Sequence, residues 1–485
     1  MDTIVSVTDG KVLGTTANGI STFLGIPYAA APVGPARFEL PRHVVPWHGL
    51  RHAKSYGATC VQLPYPEPIQ ALIGNDIIPG DDYLNLNVWT PDPGGSGLPV
   101  LVWIHGGGYA RGSNAQQMYD GSAFARDGVV MVSINYRLGI SGYAVVPGAP
   151  LNRGMHDQIF ALRWVQENIA AFGGNPNNVT VFGESAGGMS VLNLAASDAA
   201  RGLFQRAIVQ SANGSAVADA GEMMQVFERV SAELDIEPSV DSFGQLTADE
   251  IRAAQDPALW SRSMVPGTLG ITTFFPVIDG ELISVRPTDL LLAQPDRMPP
   301  LLAGWTREEF RFFMYSLGQA ATINAETLPS MLTHAGLDAK VVQTYQDARP
   351  GATPADLYAA ILTDMKFRSE LEEIAAAVTA PVHLYEFAWR SSVPGLGACH
   401  VLDVPFVFDR LASGHSLTGP NPPQSLADET HRAWVDFATH GDPGWPRYTS
   451  EARLVHVIDY PLTADIFSPR GDELSAVRKA QLSDR

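Results

Sequence analysis

A serine at the apex of a tight turn is the residue of this chain best suited to covalent chemistry. The segment from Val179 to Gly188 places Ser185 inside Gly183-Glu184-Ser185-Ala186-Gly187, a G-x-S-x-G pattern. Residues 179–182 alternate and include β-branched side chains, which predicts a buried strand, and residues 190–196 are compatible with a helix. Strand, sharp turn and helix together distinguish a nucleophile elbow from an ordinary Gly/Ser loop. Small flanking residues let the chain reverse with the Ser185 hydroxyl exposed, near a helix N-terminus whose free N–H groups favour developing negative charge.

A serine nucleophile needs oxyanion donors, a base and an acid that orients the base. His105-Gly106-Gly107-Gly108 directly follows the apolar run Val100 to Ile104. The backbone N–H groups of Gly107 and Gly108, joined by that of Ala186, can approach a substrate oxygen without side-chain obstruction. The same glycines would suit a flexible turn or a phosphate loop, but no Gly-Lys-Ser/Thr follows them. His105 reads as a residue that fixes this loop by hydrogen bonding, in preference to a ligand.

In an elbow of this kind the chain order is Ser, acid, His. Past residue 310 the histidines are His334, His383, His400, His415, His431, His440 and His456. His400 lies in a loop after the predicted strand Val382 to Phe387, where the base is needed. His383 falls inside that strand, and His440 ends a helix before Gly441. For the acid, Glu308 and Glu309 follow the strand end Leu301 to Gly304. Thr306 and Glu309 also have capping-box spacing, so spacing alone does not choose between the two glutamates.

These groups need a rigid frame. Asp9-Gly10 between Ile4–Val7 and Lys11–Leu13 predicts a hairpin. Residues 23–31 and 41–50 read as loops, and Cys60 to Asp82 as a long surface loop near the site, without a helix. From Asn85 onward strands alternate with helices: 100–104, 129–134, 179–182, 207–209, 301–303 and 382–387 read as strands. Residues 158–172 have helical period up to Gly173 and Gly174. The alternation predicts an α/β fold with a mostly parallel central sheet flanked by helices. Regions of about 216–273 and 324–379 are rich in helix formers and read as cap-like insertions within one domain, 1–485, although length alone would allow about three domains.

Composition excludes some functions. The 485 residues are 45% hydrophobic and 17% charged, the pattern of a globular chain. Lys+Arg 32 against Asp+Glu 51 gives −19, which disfavours nucleic acid as a partner. No apolar run approaches the about 18 residues of a membrane span, and no signal peptide is read at Met1 to Val12. Cys60 and Cys399 are too few for a disulfide framework or a cysteine-based zinc site. A reducing cytoplasm is the expected location, with the chain a monomer or weak oligomer.

Many ordered segments resemble the type B carboxylesterase family, which contains cholinesterases and bacterial para-nitrobenzyl esterases. They include Phe23-Leu-Gly-Ile-Pro-Tyr-Ala, Leu84-Asn-Leu-Asn-Val-Trp, Trp103-Ile-His-Gly-Gly-Gly-Tyr, Asn135-Tyr-Arg-Leu-Gly, Phe172-Gly-Gly-Asn-Pro, the Ser185 elbow, Gln210-Ser211, Pro276-Val-Ile-Asp-Gly, and His400 with Pro405-Phe-Val-Phe. The resemblance implies an α/β-hydrolase fold and hydrolysis of small carboxylic esters through an acyl-enzyme, without metal or organic cofactor. It puts the acid on Glu309, with Phe310 where the family usually has Gly. Glu184 and Ser211 take supporting positions beside the nucleophile and the acid. Arg37–Asp81 and Arg137–Asp157 match structural salt bridges of the family. Tyr83 stands where extracellular members have a loop-closing cysteine, which implies a free Cys60. Residues 60–81 contain no Trp, so choline recognition is not implied. A carbamate or anilide hydrolase on the same triad is the alternative enzyme. A non-catalytic binding protein on this scaffold is the rival of another class, disfavoured because every part of the machinery is kept.

Overall fold

The computed structural model describes residues 1–263, 272–337 and 339–483. The strands are β1 (Asp2–Val7), β2 (Gly10–Ala17), β3 (Ile20–Pro27), β4 (Leu50–His52), β5 (Asn85–Thr90), β6 (Leu98–Ile104), β7 (Val130–Ile134), β8 (Gly174–Glu184), β9 (Arg206–Gln210), β10 (Ala218–Asp219), β11 (Val277–Ile278), β12 (Leu301–Thr306), β13 (Val382–Phe387), β14 (Leu454–Ile458) and β15 (Ala464–Phe467). Apart from the small β10–β11 pair, they form one sheet in the order β1-β2-β3-β5-β7-β6-β8-β9-β12-β13-β14-β15, with β4 beside β2. Every neighbour pair from β7 to β14 is parallel. Antiparallel strands extend this block on both sides.

Strand β6 explains why the parallel block reads as continuous apolar runs. Val100, Val102 and Ile104 enter one buried cluster with Val132 and Val181, while Leu101 and Trp103 enter another with Met131 and Phe182. Side chains alternate between faces, and both faces are covered. The helices that position the site are α1 (Glu67–Ile73), α2 (Arg153–Asn168), α3 (Ala186–Ala196), α4 (Arg311–Ser316), α5 (Gln424–His440) and α6 (Gly471–Ser483). The amphipathic helix expected up to residue 172 is α2 followed by a 3-10 turn, closed by left-handed Gly173. Further helices between residues 327 and 363 enclose a third cluster that includes Leu328, Leu332, Tyr345 and Ile361. Residues 264–271 of the expected 216–273 region and residue 338 of the 324–379 region lie outside the described residues.

The ion pair implied for Arg137 and Asp157 is present and fully buried. Arg137 Nε donates to Asp157 Oδ2 at 2.8 Å, and Nη2 to Oδ1 at 2.7 Å. Nη1 reaches the carbonyls of Arg37 and Glu39, so one guanidinium ties the loop after β7 to α2 and to the N-terminal loop. Arg37 does not pair with Asp81. Its Nη1 turns instead to the carbonyls of Phe243 and Leu246, at 3.0 and 2.7 Å.

Other expectations need correction. Residues 20–27, in place of a loop, form β3, where a register shift between Phe23 and Ile26 absorbs Gly25 as a bulge. The stretch from Cys60 to Asp82 contains α1. Proline at its first turn starts the helix, so punctuation that suggested a break is an N-terminal signal. His383 sits in β13 as expected, with Nδ1 2.9 Å from the carbonyl of Trp445. Among the described residues, no helix is long and apolar enough to cross a membrane.

Cys60 and Cys399 are both free and buried. Cys60 Sγ accepts the Leu138 N–H at 3.2 Å, and burial pushes its thiol up to about 12. Tyr83 donates its hydroxyl to the Pro32 carbonyl at 3.1 Å. Neither thiol should react with a water-soluble disulfide reagent in the native protein, and both should titrate in denaturant without reductant. A native titre of even one thiol would contradict the burial; none in denaturant would mean that the two are paired.

Candidate active site

The turn between β8 and α3 carries Ser185 at φ 56° and ψ −125°, a backbone state that L-residues occupy only under constraint. The constraint is the approach of two strand ends. A Cβ on Gly187 would lie 1.9 Å from the Ile104 carbonyl oxygen of β6, so α3 can leave the sheet this sharply only with glycine there. On the other side the Ser185 N–H donates to the Gln210 carbonyl of β9 at 3.0 Å. Ser185 itself is 8% exposed.

The loop after β6 meets this turn. The place a Cβ would take on Gly106 is 2.8 Å from Glu184 Oε2 and 3.1 Å from Ser185 Cβ. Gly107 and Gly108 follow at φ 109° and 61°, and neither N–H has a hydrogen-bond partner among the described residues. The N–H of Ala186, first residue of α3, belongs to the donors that a helix leaves unpaired. His105 Nδ1 lies 2.8 Å from the Gly106 carbonyl and its ring stacks on Tyr136 at 4.6 Å. Burial pushes His105 down to about 4, so the ring is neutral near neutral pH and Nδ1 donates.

His400 is buried between two carboxylates. Its Nδ1 is 2.5 Å from Glu309 Oε2, and its Nε2 is 3.0 Å from Glu184 Oε1. The other oxygen of Glu309, Oε1, accepts the Thr306 N–H at 2.8 Å. Thr306 Oγ1 has no partner, so only one half of the capping box forms. Glu308 points elsewhere. Its Oε2 accepts the Ala398 N–H at 2.8 Å, its Oε1 accepts from Arg390 at 2.9 Å, and its own N–H donates to the Ala398 carbonyl at 2.8 Å. Glu308 thus fastens the loop that carries His400, without touching the imidazole. Phe310 adopts φ −70°, a region open to any residue, and its ring packs on Phe313 and Phe367, which also flank His400. Glycine is not required at that position, and Glu309 reaches His400 with phenylalanine there.

Among the described residues the Ser185 hydroxyl makes no hydrogen bond, and His400 Nε2 faces Glu184. The electrostatics account for this. Burial disfavours the imidazolium, yet the adjacent charges of Glu184 and Glu309 outweigh it and hold His400 above the ordinary histidine range. Burial raises Glu184 in turn, opposed by His400. A third carboxyl, Asp403, had no sequence signal beyond lying three residues after His400. Burial and the charge of Glu184 push it up to about 7, while Gln210 Nε2 at 2.9 Å and Tyr385 Oη at 3.0 Å donate to its Oδ2. Ser211 donates its N–H to the Gly304 carbonyl at 2.8 Å, but its hydroxyl has no partner, so it makes no hydrogen bond to Glu309.

Removing a neighbouring carboxylate should lower the affinity of His400 for its proton. Glu184→Gln is expected to move the His400 imidazole titration, followed by NMR and assigned by its loss in a His400→Ala protein, to lower pH. An upward or absent shift would mean that Glu184 does not act on the ring.

The family model described as "Carboxylesterase family" matches residues 1–472. The para-nitrobenzyl esterase of Bacillus subtilis (strain 168) is 33% identical over 486 residues, covering 95% of this chain and 96% of that protein. The phenmedipham hydrolase of Pseudarthrobacter oxydans is 33% identical over 484 residues, with 94% of each covered. Among solved structures, a carboxylesterase of Geobacillus stearothermophilus at pH 6.2 superposes with a TM-score of 0.86 at 33% identity, over 98% of this chain and 99% of that one. With the mostly parallel central sheet of the α/β-hydrolase fold, the chain belongs to the carboxylesterase family and is a carboxylic ester hydrolase.

Proposed function

We propose that Ser185, His400 and Glu309 are the catalytic triad of this esterase, with the N–H groups of Gly107, Gly108 and Ala186 as its oxyanion hole. The observation that carries the reading is His400 held by Glu309 at Nδ1 while Nε2 faces Glu184, the residue that precedes Ser185. Ser185 Oγ attacks the ester carbonyl carbon as His400 Nε2 takes its proton, and the carbonyl oxygen becomes the oxyanion. Collapse expels the alcohol, which takes that proton from His400, and leaves an acyl-serine. Water then attacks the acyl carbon, gives a proton to His400, and the carboxylic acid leaves as Ser185 regains its hydrogen. To act as the base, His400 must first give its Nε2 proton to Glu184 or to water and exchange Glu184 for the Ser185 hydroxyl, because only the neutral imidazole can take the serine proton. Catalytic hydrogen bonds often tighten only once substrate is bound.

The chain is read as a single domain, 1–485, with helical regions at about 216–273 and 324–379 as a cap. The one sheet that runs from β1 to β15 supports this. Two free cysteines support a reducing compartment such as the cytoplasm.

Ser185→Ala should abolish hydrolysis of p-nitrophenyl acetate without loss of melting temperature. A fluorophosphonate should phosphonylate Ser185 with loss of fluoride, adding the probe's mass less HF to the Ser185 peptide as activity disappears. Modification of a different serine with equal loss would refute the nucleophile. For the acid, Glu309→Gln keeps an oxygen for the Thr306 N–H but removes the charge on His400, so turnover should fall by about 10⁴. Glu308→Gln keeps an acceptor for the Ala398 N–H and should retain most activity. The reverse pattern would transfer the role to Glu308.

A further inference from the structure

The stretch between Cys60 and Asp82 is bound to the oxyanion loop at several points. Gln62 Nε2 donates to the Gly112 carbonyl at 2.9 Å, and the Gly112 N–H donates back to Gln62 Oε1 at 2.8 Å. Arg111 Nε donates to the Pro64 carbonyl at 3.1 Å, and Ser113 Oγ to the Asp76 carbonyl at 3.0 Å. The Tyr65 N–H is itself held by Asn75 Oδ1 at 3.2 Å. These bonds bring the Tyr65 hydroxyl to 2.7 Å from the place a Cβ on Gly107 would occupy. Gly107 has no side chain because the Arg111 carbonyl oxygen and this phenol fill its space.

A phenol in such a place normally has an acceptor. Six other tyrosines of the chain do: among them Tyr28 donates to the Asn135 carbonyl, Tyr83 to that of Pro32 and Tyr136 to that of His105, whereas the buried hydroxyls of Tyr109 and Tyr143 have no partner among the described residues. Among the described residues the Tyr65 hydroxyl donates to nothing. Burial raises its pKa, so it keeps its proton at neutral pH and remains a donor. The Arg111 guanidinium lies 6.0 Å from the centre of the Tyr65 ring.

We propose that Tyr65 is a catalytic residue whose hydroxyl donates a hydrogen bond to the oxyanion, beside the N–H groups of Gly107, Gly108 and Ala186. No proton is transferred: the phenol stabilises negative charge on the former carbonyl oxygen in both acylation and deacylation. Being fixed to the oxyanion loop itself, the donor needs no reorganisation when charge develops. Residues 60–82 therefore contribute to the reaction itself. The proposal rests on the reading of Ser185 as nucleophile, which is tested on the wild-type enzyme by fluorophosphonate labelling and so fails separately.

The experiment is Tyr65→Phe, which deletes a hydroxyl with no partner and should leave the melting temperature unchanged. With the wild-type enzyme active and labelled at Ser185, the variant should lose about 10- to 100-fold in kcat/KM, the range for a hydrogen bond to a charged group. The loss should be the same for p-nitrophenyl, phenyl and ethyl acetate. Binding of a trifluoromethyl ketone, which forms a hemiketal oxyanion on serine, should weaken by a similar factor. A loss confined to ethyl acetate, whose leaving group needs a proton donor, would put the phenol at the alcohol oxygen and overturn the proposal. Unchanged kcat/KM and unchanged ketone affinity would also overturn it.

Discussion

The structure depends on the meeting of three parallel strand ends at one turn. Ile104 of β6 lies opposite Gly183 of β8, and Glu184 of β8 lies opposite Gln210 of β9. This register puts the Ile104 carbonyl where a side chain on residue 187 would be, and the Gln210 carbonyl within reach of the Ser185 N–H. A backbone state such as that of Ser185 costs about 1–3 kcal/mol and persists only where the surroundings over-determine it. The surroundings here are among the most buried parts of the chain. Val102, Ile104, Val181 and Val209 are inaccessible to solvent, and each such side chain contributes about 1.5–3 kcal/mol relative to exposure. The strain is therefore small against the burial that imposes it. Because β6 also leads into His105 to Gly108, the register that bends this turn brings those glycines beside Ser185.

Three carboxyl groups, Glu184, Glu309 and Asp403, surround this turn with one imidazole among them. Three adjacent buried negative charges would repel strongly. His400 neutralises part of that charge from between Glu184 and Glu309. Asp403, without contact to the imidazole, is the group pushed up to about 7. Its Oδ2 accepts from Gln210 and Tyr385 while Oδ1 has no partner, an arrangement that leaves Oδ1 free to carry the proton. Gln210 also accepts from Trp434 of α5 through Oε1, which fixes its amide so that Nε2 faces Asp403. The charge balance of the site is thus supported from β9, β13 and α5 together.

The parts legible in the sequence are those with a local signature. Gly-x-Ser-x-Gly between a strand and a helix, and three glycines after an apolar run, need few residues to recognise, and the structure brings them together. The acid illustrates the opposite case. Capping spacing and an orienting role looked like alternatives for Glu309, yet a carboxylate has two oxygens, and here one holds the Thr306 N–H while the other meets His400. Strand β3 was hidden because a bulge at Gly25 breaks the alternation, and α1 because prolines open it. Asp403 and Tyr65 belong to a different class. Their surroundings come from segments distant in the chain, so no window of sequence contains the information.

The scaffold holds its own buried carboxylates by another device. Asp157 is bound by both arms of Arg137. Glu386 of β13 receives Trp305 Nε1 at 3.1 Å, Arg307 Nε at 2.8 Å and the guanidinium of Arg470. Burial would raise Glu386, but the two arginines overcome it and hold the carboxyl far below its ordinary range. Guanidinium groups stay charged throughout the range in which proteins fold. The carboxyl groups around His400 have no arginine or lysine ion pair among the described residues; their cation is the imidazole alone. An imidazole can give up its proton, which a base must do, whereas a guanidinium in its place would lock the charge. The same chain thus pairs arginine with the buried carboxylates that tie its scaffold together, and histidine with those beside the Ser185 turn.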